Sequence, residues 1–161
     1  MIDSRRVVIN ISYNAIFMAK TIARGLRNNN PGNIRLNGVT YEGELIPSKD
    51  KSFKQFKSME YGYRAIFVIL HTYARKHGID TIEGMISRYA PACENHTQKY
   101  IDAVSEWSGV PGTSHITTTN ADVMIPIVAA MSRVENGEAA VMSEVEAGWK
   151  MFIQDYRRHK L

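Results

Sequence analysis

Residues 24–35 read Arg-Gly-Leu-Arg-Asn-Asn-Asn-Pro-Gly-Asn-Ile-Arg and predict a rigid polar loop between two ordered elements. Asparagine side chains close local turns and tolerate left-handed backbone, while proline followed by glycine sets a chain reversal. Asn33 follows a glycine and precedes β-prone residues, so we expect its amide to pin the loop to a helical lobe. A purely structural Asn-rich turn is the alternative interpretation.

The segment after this loop consists of two short β-prone runs joined at Asn37-Gly38. Asn-Gly between such runs is a strong hairpin signal, because both residues accept positive φ. The sequence therefore predicts a β-hairpin from Ile34 to Ile46.

Helical spacing of apolar residues and capping residues predict five helices in the rest of the chain. The expected helices cover residues 59–77, 82–89, 98–108, 122–135 and about 139–156. The predicted fold class is α+β, mostly helical with one small β-hairpin lobe. We assign residues 23–161 to this domain and residues 1–22 to an N-terminal extension with no convincing signal peptide and no membrane span.

The composition is that of one folded domain of 161 residues with a net charge of +4. The lone Cys93 reads as a packed thiol, and the five histidines show no metal-binding spacing, so we expect no metal and no cofactor. Four lysines (Lys49, Lys51, Lys54 and Lys57) surround Phe53 and Phe56, a pattern that can hold single-stranded nucleic acid. A solvated lysine face is the favoured interpretation, and no nucleic-acid partner is expected.

The order of these features resembles the lysozyme-like glycan hydrolases, in particular the glucosaminidase and lytic transglycosylase branches. The Asn-rich loop, the predicted hairpin and the aromatic lead-in from Phe53 to a helix carry this resemblance, which covers roughly Ala23 to Gly112. The loop is similar still more closely to that of small phage and prophage proteins described as virion structural proteins or peptidoglycan hydrolases.

The resemblance implies a lysozyme-like fold and a phage-associated enzyme that cleaves peptidoglycan. The implied partners are peptidoglycan glycan strands and other virion proteins, and the implied location is the virion or the bacterial envelope. A non-catalytic virion structural protein with the same fold is the alternative.

Glycoside cleavage needs a protonated carboxylic acid beside the scissile oxygen. In the families that this chain resembles, the acid is a glutamate at the end of a helix, just before the Asn/Gly turn. No glutamate precedes Asn33 here. The resemblance instead points to Glu44, with Tyr41 in the aromatic position of an aromatic-x-Gly-Glu pattern. Asp50 and Glu42 are the further candidates, since Glu42 would share a strand face with Glu44; a solvent-exposed polar face is the alternative.

Residues 88–100 are similar to a transglycosylase segment in which a Tyr-Asn pair and a Thr-x-x-Tyr contact the sugar chain. Amides can bridge N-acetyl groups, and aromatic faces stack on pyranose rings. A helix N-cap at Asn95 or Thr97, with Tyr100 in the core, is the alternative interpretation. The predicted substrate-binding residues are Asn28, Asn29, Asn30, Asn33, Tyr41, Tyr89, Glu94, Asn95, Thr97 and Tyr100.

Overall fold

The computed structural model describes residues 21–91, 94–159 and 161, with the backbone alone at residues 94 and 95. Cys93 and almost all of the predicted N-terminal extension lie outside this range. The described chain contains six helices and no strand or sheet, so the predicted α+β class is wrong and this part of the protein is all-helical. The helices are α1 (Arg24–Arg27), α2 (Met59–His77), α3 (Ile82–Tyr89), α4 (Glu94–Ser108), α5 (Ala121–Asn136) and α6 (Met142–Arg157).

The predicted hairpin is replaced by a loop lobe, residues 34–57, which holds two isolated β-bridges, Arg35 with Phe53 and Glu44 with Phe56. Asn37 Oδ1 accepts the Val39 N–H at 3.0 Å, and Glu44 Oε2 accepts the Tyr41 N–H at 3.0 Å. Side chains therefore bind N–H groups that a hairpin ladder would have paired between strands.

The first β-prone run pairs with residues beyond the predicted hairpin. The Leu36 N–H donates to the Ser52 carbonyl at 3.0 Å, and the Lys54 N–H donates to the Ile34 carbonyl at 2.9 Å. The sequence signal for extended backbone was correct at this run, but the choice of partner was wrong.

Capping residues fix the helix bounds that were predicted most closely. Helix α2 ends at Gly78 with φ +65°, and α3 begins after Thr81, whose hydroxyl accepts the Gly84 N–H. The predicted bounds of α2 and α3 are confirmed. Helix α4 begins at Glu94, four residues before the predicted start, and α6 begins at Met142 rather than Ala139. Val141 precedes α6 and makes no side-chain cap, which explains why its start was hard to place.

Helix α2 lies at the centre of the core and packs against α5 and α6. Its Phe67 ring contacts the rings of Trp149 and Phe152 in α6, with centroid distances of 5.1 and 5.9 Å. Each large apolar side chain buried in this way contributes roughly 1.5–3 kcal/mol. Gly148 permits the close approach, because a Cβ there would lie 2.9 Å from the Arg64 backbone nitrogen. This rigid helical body supports the Asn-rich loop and the loop lobe on one side.

Candidate functional site

The first three asparagines of the Asn-rich loop hold the loop lobe in place. Asn30 is fully buried; its amide nitrogen donates to the Ile34 and Lys54 carbonyls at 2.9 Å, and its oxygen accepts the Ile34 N–H at 2.9 Å. Asn28 donates to Asp50 at 2.9 Å, and Asn29, with φ +50°, donates to the Phe56 carbonyl at 3.1 Å. These contacts give Asn28, Asn29 and Asn30 structural roles.

Asn33 connects the loop to the end of α5. Its amide nitrogen donates to Glu135 Oε2 at 3.0 Å and to the Glu135 carbonyl at 3.3 Å. The neighbouring Asn136 donates to the Pro31 carbonyl at 2.8 Å. The predicted pinning of the loop to a helical lobe by Asn33 is confirmed, and the contact places a carboxyl group beside the loop.

A groove with a volume of about 890 Å³ opens next to this contact. It lies between the loop lobe, the C-terminal half of α2 and the end of α3. Its wall combines aromatic rings with basic side chains, and Glu135 is the one carboxyl group among its described lining residues. The polar and aromatic lining residues include Asn33, Arg35, Tyr41, Tyr73, Lys76, His77, Arg88, Tyr89 and Glu135.

Burial raises the pKa of Glu135 above its ordinary value. The hydrogen bond from Asn33 and the charge of Arg35 oppose this shift, because they stabilise the ionised carboxylate. Desolvation is the larger effect, so the proton is held more tightly than in water. Three buried side-chain oxygens nearby, those of Asn33, Asn136 and the Tyr100 hydroxyl, form no hydrogen bond within the described chain. Buried polar groups of this kind usually form hydrogen bonds with water or with a ligand.

Glu44, the first predicted acid, forms a buried ion pair. Its carboxylate lies 2.8 Å from Lys54 Nζ, and the two side chains are 4% and 1% exposed. The ammonium also donates to the Val39 carbonyl at 2.7 Å. We therefore assign Glu44 a structural role within the loop lobe. Lys54 is correspondingly absent from the solvated lysine face that the sequence indicated.

Asp50 and Glu42 are also held by basic side chains, and neither lines the groove. Arg24 forms two bonds of 2.7 Å to the Asp50 carboxylate. This pairing, with the Ser52 N–H and the Asn28 amide, holds the pKa of Asp50 well below its usual range. Glu42 is 58% exposed and lies 3.2 Å from Arg64. The geometry does not bring the three predicted catalytic carboxylates together in one site.

The predicted binding residues divide between the groove and the scaffold. Tyr41 and Tyr89 line the groove together with Asn33. The Tyr89 hydroxyl donates to the Gly32 carbonyl at 2.6 Å, and Tyr100 is buried in the core. Thr97 donates to the Ala90 carbonyl at 2.8 Å, a contact that fixes the start of α4. The side chains of Glu94 and Asn95 lie outside the described part.

Sequence reasoning missed Glu135 and the arginines of the groove. A usable signal was present, because Glu135 lies in the last turn of a helix that ends at Asn136-Gly137, a setting similar to the one expected of the acid. It lies 102 residues after Asn33 in the chain, and only the fold brings the two together.

Within the described residues, no cluster of three or more His, Cys, Asp or Glu side chains could hold a metal ion. None of the helices that the structure describes is long and apolar enough to cross a membrane.

Comparison with known proteins identifies a phage-associated protein. Over 118 residues the chain is 42% identical to Protein P5 of Pseudoalteromonas phage PM2, and the match covers 71% of this chain and 72% of that protein. The chain therefore belongs to the family of this phage protein. No family model matches the chain.

Proposed function

We propose that this phage-associated protein cleaves the glycan strand of bacterial peptidoglycan, with Glu135 as the general acid. The observation that carries the proposal is a single, partly buried carboxyl group of raised pKa in the wall of an open groove. A general acid must keep its proton close to working pH, and burial is the usual means of achieving this. The resemblance to lytic transglycosylases supports the choice of substrate.

In the proposed reaction, Glu135 gives its proton to the glycosidic oxygen as the C–O bond breaks. The Asn33 amide, 3.0 Å from Oε2, orients the carboxyl group and stabilises the carboxylate that forms. Tyr41, Tyr73 and Tyr89 offer aromatic surface on which sugar rings can stack.

The groove offers one carboxyl group among its described lining residues, whereas hydrolysis by either common route uses two. This favours a transglycosylase route, in which a hydroxyl of the same sugar attacks the anomeric carbon. That hydroxyl loses its proton to Glu135, which restores the acid, and the product is an anhydro-sugar.

The test is digestion of purified peptidoglycan, with mass analysis of the soluble products. Glu135→Gln keeps the Asn33 contact but carries no acidic proton, so we expect cleavage to fall by about 10²–10⁴-fold. Glu106→Gln, at an exposed position of α4, is the matched control and should keep full activity. Unchanged cleavage by Glu135→Gln would refute the assignment, and water-hydrolysed products would refute the transglycosylase route.

A virion structural role without cleavage is the second candidate. Four apolar side chains of the loop lobe are strongly exposed, from 41% at Leu45 to 68% at Ile46, with Leu36 and Val39 between them. Several exposed apolar side chains on one lobe favour burial against another protein, here another virion protein. If the wild type binds peptidoglycan and releases no fragments in the same digestion, this function replaces the enzymatic one.

A further inference from the structure

We propose that Arg35 and Arg88 make the groove selective for a glycan that carries carboxylates over a neutral one. This inference rests on the proposed function, and it names the substrate chemistry that the same groove recognises. The two arginines come from different parts of the wall, Arg35 from the loop lobe and Arg88 from the last turn of α3.

Both guanidinium groups are positioned by aromatic rings rather than by acids. Arg35 lies 5.1 Å from the centroid of the Phe53 ring, and Arg88 lies 5.1 Å from that of Tyr73. Stacking on a ring fixes the plane of a guanidinium while leaving its N–H groups able to bind an anion. Arg88 also approaches His77 Nε2, at 3.4 Å, which adds a second constraint on its position.

Two other arginines, Arg24 and Arg64, differ from this pair in having carboxylate partners. Arg24 binds Asp50 and Arg64 binds Asp155, each at 2.7 Å. Neither Arg35 nor Arg88 has a carboxylate partner within the part of the chain that the structure describes. Arginines that serve the scaffold are thus paired with acids, while those of the groove keep their N–H groups available.

The charge of the groove is also unbalanced. Arg35, Lys76 and Arg88 line it, against the single carboxyl group of Glu135. A protonated Glu135, as a general acid requires, leaves the wall more positive still. An electropositive wall attracts an anionic strand and stabilises it more than a neutral strand of the same shape.

Peptidoglycan supplies such an anion, since its stem peptides and any lactyl groups without a peptide carry carboxylates. A guanidinium binds a carboxylate through two parallel N–H···O bonds, a geometry that a neutral N-acetylglucosamine polymer cannot offer. We therefore assign the pair to recognition of these carboxylates beside the strand being cleaved.

The experiment measures binding by calorimetry, independently of cleavage, in the Glu135→Gln background. The probes are soluble peptidoglycan strands free of teichoic acid, and the same strands with their carboxylates converted to amides. We expect the carboxylated strands to bind at least about tenfold more tightly, equivalent to about 1.4 kcal/mol. Arg35→Gln and Arg88→Gln should each reduce this preference, and the double variant should abolish it without weakening binding of the amidated strands.

Two further variants test whether the preference depends on these particular arginines and on the shape of the guanidinium. Arg157→Gln, an exposed arginine in the last turn of α6, should leave the preference unchanged. Arg88→Lys keeps the charge without the planar fork, so it should recover part of the preference. Equal binding of both probes by the parent protein, or an equal loss of affinity for both in the arginine variants, would overturn the inference.

Soluble teichoic acid serves as the phosphate-bearing competitor. If it binds more tightly than the carboxylated strands and depends on the same arginines, the ligand is a phosphate polymer and the carboxylate assignment fails. Absence of cleavage by the wild type would refute the proposed function alone. The binding preference would still be measured, and its presence or absence would decide the inference.

Discussion

Replacing Glu44 by glutamine separates a structural carboxylate from a catalytic one. In the folded protein this change leaves the Lys54 ammonium, 1% exposed, without its counter-charge at 2.8 Å. Breaking a buried ion pair by removing one partner costs about 3–5 kcal/mol. The retained bond from Lys54 to the Val39 carbonyl at 2.7 Å favours the lower end of this range. For a chain of this size, each kcal/mol lowers Tm by roughly 2–4 °C, so we expect a fall of roughly 6–20 °C.

The companion variants make this prediction specific. Adding Lys54→Met removes the unpaired charge, while glutamine at position 44 can still accept the Tyr41 N–H, so the double variant should recover most of the stability. Glu42→Gln, at a 58% exposed carboxylate, should cost less than about 1 kcal/mol.

Thermal and urea unfolding supply the stabilities, and digestion of peptidoglycan below each variant's Tm supplies the activities. A loss from Glu44→Gln no larger than that from Glu42→Gln would refute the structural reasoning. A stable and inactive Glu44→Gln protein would restore Glu44 as the acid.

Three further predictions concern the loop, the helix packing and the groove. Asn30→Ala removes three buried hydrogen bonds and should cost at least about 3 kcal/mol in urea unfolding; a cost below about 1 kcal/mol would contradict the role given to Asn30. Gly148→Ala places a Cβ 2.6 Å from the Tyr63 Cβ and should cost about 1–3 kcal/mol, again by urea unfolding; unchanged stability would contradict the close packing of α6 on α2. The pKa of Glu135 is raised on folding, so ionisation of this carboxyl group lowers the free energy of unfolding. The loss is complete at pH values above the pKa in the folded state, and it is absent at pH values below the pKa in the unfolded state. Glu135→Gln should therefore raise Tm at about pH 8 and lose this advantage towards about pH 4, and a Tm difference that does not change with pH would contradict the raised pKa.

The helical part of the fold could be predicted from local chemistry. Gly78, Thr81 and Asn120 each end or begin a helix through a contact made within four residues, so the sequence around them contains the whole cause. The hairpin prediction failed because its outcome depended on competition. Asn37 and Glu44 bind nearby backbone N–H groups, and the extended run then pairs with residues near Phe53.

The candidate site could be predicted only in part, because its contacts are long-range. Asn33 was chosen for its residue type and neighbours, and Tyr41 and Tyr89 from the family resemblance; all three line the groove. The helix end at Glu135 was a local signal for an acid, but nothing near it in the chain shows that Asn33 will lie 3.0 Å away. The opposite error affected Glu44, whose burial with Lys54 no local pattern reveals.

The structural roles of the asparagines limit what the Asn-rich motif predicts about the activity of other members of the family. The first three asparagines of the loop, Asn28, Asn29 and Asn30, donate hydrogen bonds to other parts of the protein. In addition, Asn29 and Asn33 adopt positive φ. The fold would require these asparagines even in a relative without enzymatic activity. A relative could therefore keep all four asparagines and be inert. If Glu135 is the acid, as we propose, the residue at position 135, far from the motif in the chain, is the better indicator of catalytic activity in a relative.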